Sequence, residues 1–154
     1  MTIPVAVITD SDVRTYEKVG EDYCPKSSKV LEGEIANKIK EINEKSNQNV
    51  KYYAAKQWTL EYSIFKSKKL SALFQKHSKA IHTKTKWDSN FELELAKKLI
   101  NQGLKKTEIA YRLAHELDKE MNKHEPDRTL NLHETESTDS IYYLIEAIEY
   151  VTNN

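Results

Sequence analysis

Residues 3–9 (IPVAVIT) form a short, almost unbroken apolar run rich in β-branched side chains. A continuous run of this length suits a strand covered on both faces, as in a parallel sheet, better than an alternating surface strand. Pro4 is tolerated at its first position. Asp10, Ser11 and Asp12 end the run, and residues 13–27 read as polar and irregular, punctuated by Gly20 and Pro25. Ser27 or Ser28 can cap a helix in which Val30, Leu31, Ile35, Ile39 and Ile42 recur at helical spacing. The Ser and Asn residues of 46–49 close it, and residues 50–55 (VKYYAA) are a second strand candidate. Strand, helix and strand in this order imply a right-handed crossover and a parallel pair.

Beyond residue 55 the pattern is helical. Leu60, Ile64, Leu70, Leu73 and Phe74 lie near one stripe, with a break around residues 66–69. Residues 78–89 read as a Lys/Thr/His/Ser loop, 91–100 as a short helix stopped by Asn101, Gln102 and Gly103, and 107–121 as another helix. In the latter, Ile109, Leu113 and Leu117 fall at i, i+4 and i+8. Residues 122–139 read as loop. Asp139 or Ser140 then caps a last helix with Ile141, Leu144, Ile145, Ile148 and Val151 facing inward. The expectation is an α/β chain forming one domain over residues 1–154. A βαβ core and its following helix span about residues 3–76, and C-terminal helices span 90–151.

Two strands are few for a parallel sheet, which needs cover on both faces. Such a set of helices around two strands reads as the later part of a larger α/β fold. An exposed sheet edge also predicts self-association.

Composition narrows the class. The 154 residues are 38% apolar and 31% charged, polar for a globular domain yet supplied with nine Tyr, three Phe and two Trp. The mean hydropathy is −0.75. No apolar run is long enough to span a bilayer, no charged region precedes an apolar core as in a secretory signal, and Cys24 is alone. No membrane partner and a cytoplasmic location are expected. Zero net charge conceals a gradient: residues 56–86 carry eight Lys against one acid, whereas residues 108–149 carry eleven acids against four bases. A basic middle suits an anionic partner; the plainer reading is a solvated helix and loop.

Candidate chemistry sits where the apolar strands stop. In open α/β sheets, ligands bind beyond the carboxyl ends of the strands. Asp10 and Asp12, one residue apart in a turn, can aim at one point and offer hard oxygen ligands to Mg²⁺ or Mn²⁺. A turn in which Asp10 caps backbone and Asp12 is solvated is the competing reading. Thr59 and Glu61 follow the second strand, where Thr59 could equally cap a helix and Glu61 complement its dipole. Lys105 and Lys106 stand where a helix start disfavours cations by about 0.3–1 kcal/mol each. Near carboxylates, such a lysine could bind phosphate. A haloacid dehalogenase-like phosphatase would also place D-x-D after a buried strand, but usually with Thr or Val fifth, where Arg14 stands here.

Taken in order, VAVITDSD (5–12), TLE (59–61), KKTEIAYRLA (105–114) and the closing IYYLIEAIEYV (141–151) resemble the C-terminal Toprim domain of the overcoming-lysogenization-defect (OLD) family of ATP-dependent endonucleases. The resemblance covers about residues 3–151. It implies a Toprim-like (Rossmann-like) partial parallel sheet with C-terminal helices, and a Mg²⁺- or Mn²⁺-dependent site that cuts DNA. By position, Asp10, Asp12 and Glu61, with Thr59, match the metal ligands, and Lys106 matches the catalytic lysine. The family's ATPase half, with its phosphate loop, and the first Toprim strand with its glutamate have no counterpart in these residues. Their absence leads one to expect a nuclease fragment inactive in isolation. The alternative is a non-catalytic α/β interaction or assembly module.

Overall fold

The computed structural model describes residues 3–87 and 90–153. Strand β1 (Val5–Thr9) pairs in parallel with β4 (Val50–Ala54), Val5 opposite Val50 and Thr9 opposite Ala54. Helix α1 (Ser28–Lys45) makes the crossover; Ser27 caps it, its hydroxyl accepting from the Val30 amide at 3.4 Å. The expected α/β class and the parallel pairing are therefore present. The strand is not covered on both faces, however. Ile3, Val5 and Ile8 remain 75%, 44% and 49% exposed, because α6 (Tyr142–Thr152) lies against both strands while α1 packs chiefly on β4. Among the described residues this sheet has no third strand.

Residues 13–27, expected to be irregular, contain an antiparallel hairpin, β2 (Tyr16–Val19) with β3 (Asp22–Pro25). Its strands are too short and too polar for alternation to mark them. What fixes the turn is Gly20 at φ 63°, a conformation open to glycine without steric cost. Tyr16 packs against the core, and the Tyr23 hydroxyl accepts from Asn101 at 2.7 Å.

The break at 66–69 separates two helices, α2 (Leu60–Lys66) and α3 (Ser71–Ile81). Buried Ser67 turns the corner, its hydroxyl accepting from the Lys69 and Leu70 amides. Helix α3 continues through fully buried Ser78, so the loop begins only at His82. Helices α4 (Phe91–Ile100) and α5 (Lys106–Met121) follow, with Gln102 rather than Gly103 holding the left-handed turn after α4 at φ 54°. The principal core draws Trp58, Tyr62 and Phe74 together with Trp87, Leu95, Leu104 and Ile109. It thus unites residues on either side of the 76–90 connection.

Helix α6 presents only part of the expected face: Ile141 is buried and Leu144 and Ile145 are half-buried. Tyr143 and Ala147 are buried, with half-buried Tyr150 at the next turn, while Ile148 and Val151 are exposed. A Tyr143–Ala147–Tyr150 stripe (i, i+4, i+7) lets the small alanine approach the strands while the tyrosine rings flank it. Neither expected cap acts as a helix cap by side chain. Instead Asp139, itself buried, accepts from the Ile141 and Lys68 amides, and Ser140 donates to the Ser63 carbonyl at 2.6 Å. Both tie the start of α6 to the α2–α3 corner. No helix is long and apolar enough to cross a membrane among the described residues.

Candidate functional site

The carboxyl ends of β1 and β4 run into two turns that brace each other through the backbone. The Trp58 amide donates to Val13 O at 2.9 Å, and Trp58 O accepts from the Ser11 and Asp12 amides at 3.0 and 3.3 Å. Asp12 and Trp58 both hold positive φ, 60° and 58°. Aspartate tolerates this region, but a bulky indole residue does so only when its surroundings over-determine it. Trp58 is over-determined: its ring packs 5.5 Å from that of Tyr62 in the core.

This brace aims Asp10 at the start of α2, where its Oδ1 accepts from the Leu60 amide at 3.0 Å. Glu61 follows in the first turn of α2. Its carboxylate receives Lys106 Nζ at 3.0 Å from the first residue of α5. Three segments thus converge, Asp10 from the sheet, Glu61 from α2 and Lys106 from α5. Lys105 does not join them: it turns back along its own helix to Glu108 at 3.3 Å. The pairing with Glu61 also offsets the unfavourable placement of Lys106 at a helix start.

Asp10 has its pKa raised above the ordinary aspartate value of 3.8. Burial is the main cause; the Leu60 amide opposes it, the Glu61 charge adds to it, Lys106 opposes, and Asp12 adds least. The Asp10 and Glu61 charges repel, and a cation between them would relieve the repulsion.

The other two expected ligands are placed differently. Asp12 is exposed and lines an open hollow beside α1 with Lys26, Glu34 and Lys38. Thr59 is the N-cap of α2, its hydroxyl accepting from the Tyr62 amide at 3.4 Å. Among the described residues no group of three His, Cys, Asp or Glu side chains could hold a metal ion. Asp10, engaged by the Leu60 amide, and Glu61, engaged by Lys106, could offer a divalent ion two carboxylates at most, with the rest of its coordination left to water.

One neighbour escaped the sequence reading. Tyr143 of α6 is buried close enough to Asp10 and Glu61 to feel both charges. Burial first, then these carboxylates, push its hydroxyl up to about 12, with the Ser63 hydroxyl working the other way. The signal that could have found it is the Tyr143–Ala147–Tyr150 spacing, hidden by the more apolar isoleucines on the opposite side of the helix.

Comparison with protein-family models, curated proteins and solved structures gives no match to this chain. The Toprim resemblance accordingly rests on the sequence motifs, and the functional reading on the geometry of the strand ends.

Proposed function

We propose that this chain is the phosphodiester-cleaving part of a divalent-metal-dependent DNA endonuclease of the Toprim type, similar to the OLD family. The observation that supports this most strongly is the convergence of Asp10, Glu61 and Lys106, whose last two members are 45 residues apart in sequence. Asp10 and Glu61 would hold Mg²⁺ or Mn²⁺, which when bound supplies Lewis-acid polarisation of a phosphate. Lys106 has a half-exposed side chain and can exchange Glu61 for the charge that develops on the scissile phosphate. Buried Tyr143 lies close to both acids. Two carboxylates leave a metal ion short of protein ligands; by the family resemblance, a Toprim segment bearing a glutamate would be the partner that completes the site, alongside an ATPase.

Calorimetric titration with Mn²⁺ tests this reading. Weak binding by the native chain should be lost in Asp10→Asn and in Glu61→Gln. Lys106→Ala should bind Mn²⁺ at least as well, because it frees Glu61. Identical titrations for the native chain and Asp10→Asn would overturn the reading.

The open sheet favours a second reading, an assembly module in which Ile3, Val5 and Ile8 meet another copy. Sedimentation distinguishes it: an association abolished by Ile8→Lys, in a chain that binds no Mn²⁺, would favour assembly over catalysis.

A further inference from the structure

The eight lysines of residues 56–86 do not form one positive face. Lys66, Lys68 and Lys76 are paired with Glu92, Glu136 and Glu116, and Lys69 donates to Asn131 O. The acidic C-terminal half folds back onto the basic middle and cancels much of it. Lys56, Lys84 and Lys86 have no carboxylate partner among the described residues, and the last two stand together on one loop.

That loop is rigid. Trp87 is only 4% exposed, stacks on Phe91 at 4.4 Å and donates its indole N–H to His82 O at 3.3 Å. The Thr85 amide closes a turn on the same carbonyl at 3.1 Å. Across an open hollow of about 680 Å³ lies the last turn of α4, where Lys98 rests 5.7 Å over the Trp87 ring. Among the described residues the one acid lining the hollow, Glu94, is already neutralised by Lys97 at 2.7 Å. The loop is tied to the start of α5, because His82 Nε2 accepts from the Lys105 amide at 3.2 Å and the next residue is Lys106. The electrostatics agree with this closeness: burial, then the Lys98 and Lys105 charges, lower the His82 pKa.

We propose that Lys84, Lys86 and Lys98 bind successive backbone phosphates of duplex DNA and lead the strand past Lys105 toward Lys106, a track that rests on the nuclease reading for its destination. A shallow, open hollow with unpaired ammonium groups on both rims suits a chain laid across it, whereas small-molecule sites are enclosed and largely apolar. Lysines at phosphates act as point charges and carry no base readout, so binding is independent of sequence and sensitive to salt.

The test is fluorescence anisotropy with a labelled duplex of about 20 base pairs between about 50 and 200 mM salt, without divalent ions. Each phosphate contact contributes about 0.9 to the slope of log affinity against log salt. The triple variant Lys84→Gln/Lys86→Gln/Lys98→Gln keeps the side-chain stems and should lower the slope by about 2.7. Lys29→Gln/Lys40→Gln/Lys119→Gln makes the same change of net charge on other faces and should lower it by less than about 1. Lys98 packs on Trp87, so the exposed single variants Lys84→Gln and Lys86→Gln, each expected to remove about 0.9, guard against a folding defect. Equal slopes for the two triples, or no binding by the native chain at about 50 mM salt, would overturn the proposal. DNA held through these lysines by a chain that binds no Mn²⁺ would remove the nuclease reading alone. Mn²⁺ bound through Asp10 with an unchanged salt slope would remove the track alone.

Discussion

The helical half and the sheet half of this chain are built to different standards of closure. Helices α2–α5 enclose Phe74, Leu95 and Ile109 completely and stack aromatic rings from Trp58 to Phe91 around them. Helix α1, with 18 residues the longest in the fold, buries none of them fully, and β1 leaves apolar side chains in solvent. Stability should follow the first half and adaptability the second, since local opening tracks sparse burial. The candidate site spans the seam: Asp10 belongs to the open sheet, Glu61 and Lys106 to the closed helices. A lysine–glutamate pair carried on the closed helices thus faces an aspartate on the less enclosed element.

The largest effect expected of this contrast is in the core. Phe74→Ala should cost about 3–5 kcal/mol, because it removes a fully enclosed ring and leaves a cavity its neighbours cannot collapse into. Ile39→Ala, on the exposed side of α1, should cost less than about 1 kcal/mol. Urea unfolding of both variants measures the difference. Similar losses would show that the sheet half is packed as tightly as the helical half.

Asp139 marks the border and should come next. Its buried carboxylate accepts from the Lys68 amide at 3.0 Å and the Ile141 amide at 3.1 Å, joining the α2–α3 corner to the helix that covers the sheet. Asp139→Ala strands two donors and should cost about 1–3 kcal/mol. Hydrogen exchange should then speed up in α6 and β1 while α3 and α4 stay protected. Faster exchange everywhere would mean that the halves unfold as one unit.

How much of this was legible in the chain depends on what carried the signal. Helices α1, α4 and α5 and both parallel strands announced themselves through apolar spacing, since that spacing is what packs them. The β2–β3 hairpin did not, because its support comes from distant Tyr16 and Tyr23 contacts rather than from alternation. The α6 face was misjudged because hydrophobicity favoured Ile148 and Val151, whereas close approach to the strands selected Ala147. At the site, Asp10 and Glu61 stood out by their places at element ends, while Lys106 was singled out from Lys105 by the family resemblance. The division of labour between Lys105 and Lys106 follows from the helix start, where one lysine reaches across to Glu61 and the other returns to Glu108. Thr59 and Asp12 could not be sorted from residue type alone, since a strand-end hydroxyl or carboxylate serves a cap, a turn or a cation equally well.

The smallest effect has the opposite sign and bears directly on the seam. The raised pKa of Asp10 means that its charged form is less stable in the folded chain than in the unfolded one. Its contribution to stability is therefore full below the unfolded value near 3.8 and is lost as pH rises through the higher folded value. Asp10→Asn keeps an oxygen for the Leu60 amide and removes the charge. It should match the native chain at low pH and become slightly more stable above that window. Solvent screening at this partly open position keeps the gain below about 1 kcal/mol. Mn²⁺ should reverse the ranking: an ion that binds only the folded native chain stabilises it by mass action and leaves Asp10→Asn unmoved. Paired thermal melts with and without Mn²⁺, at pH values on either side of the window, read both effects. An Asn variant less stable than the native chain at neutral pH without metal would show that the Leu60 amide and Lys106, rather than burial and Glu61, set the field at Asp10. The carboxylate would then be a structural tie between the two halves instead of a ligand held at a cost to the fold.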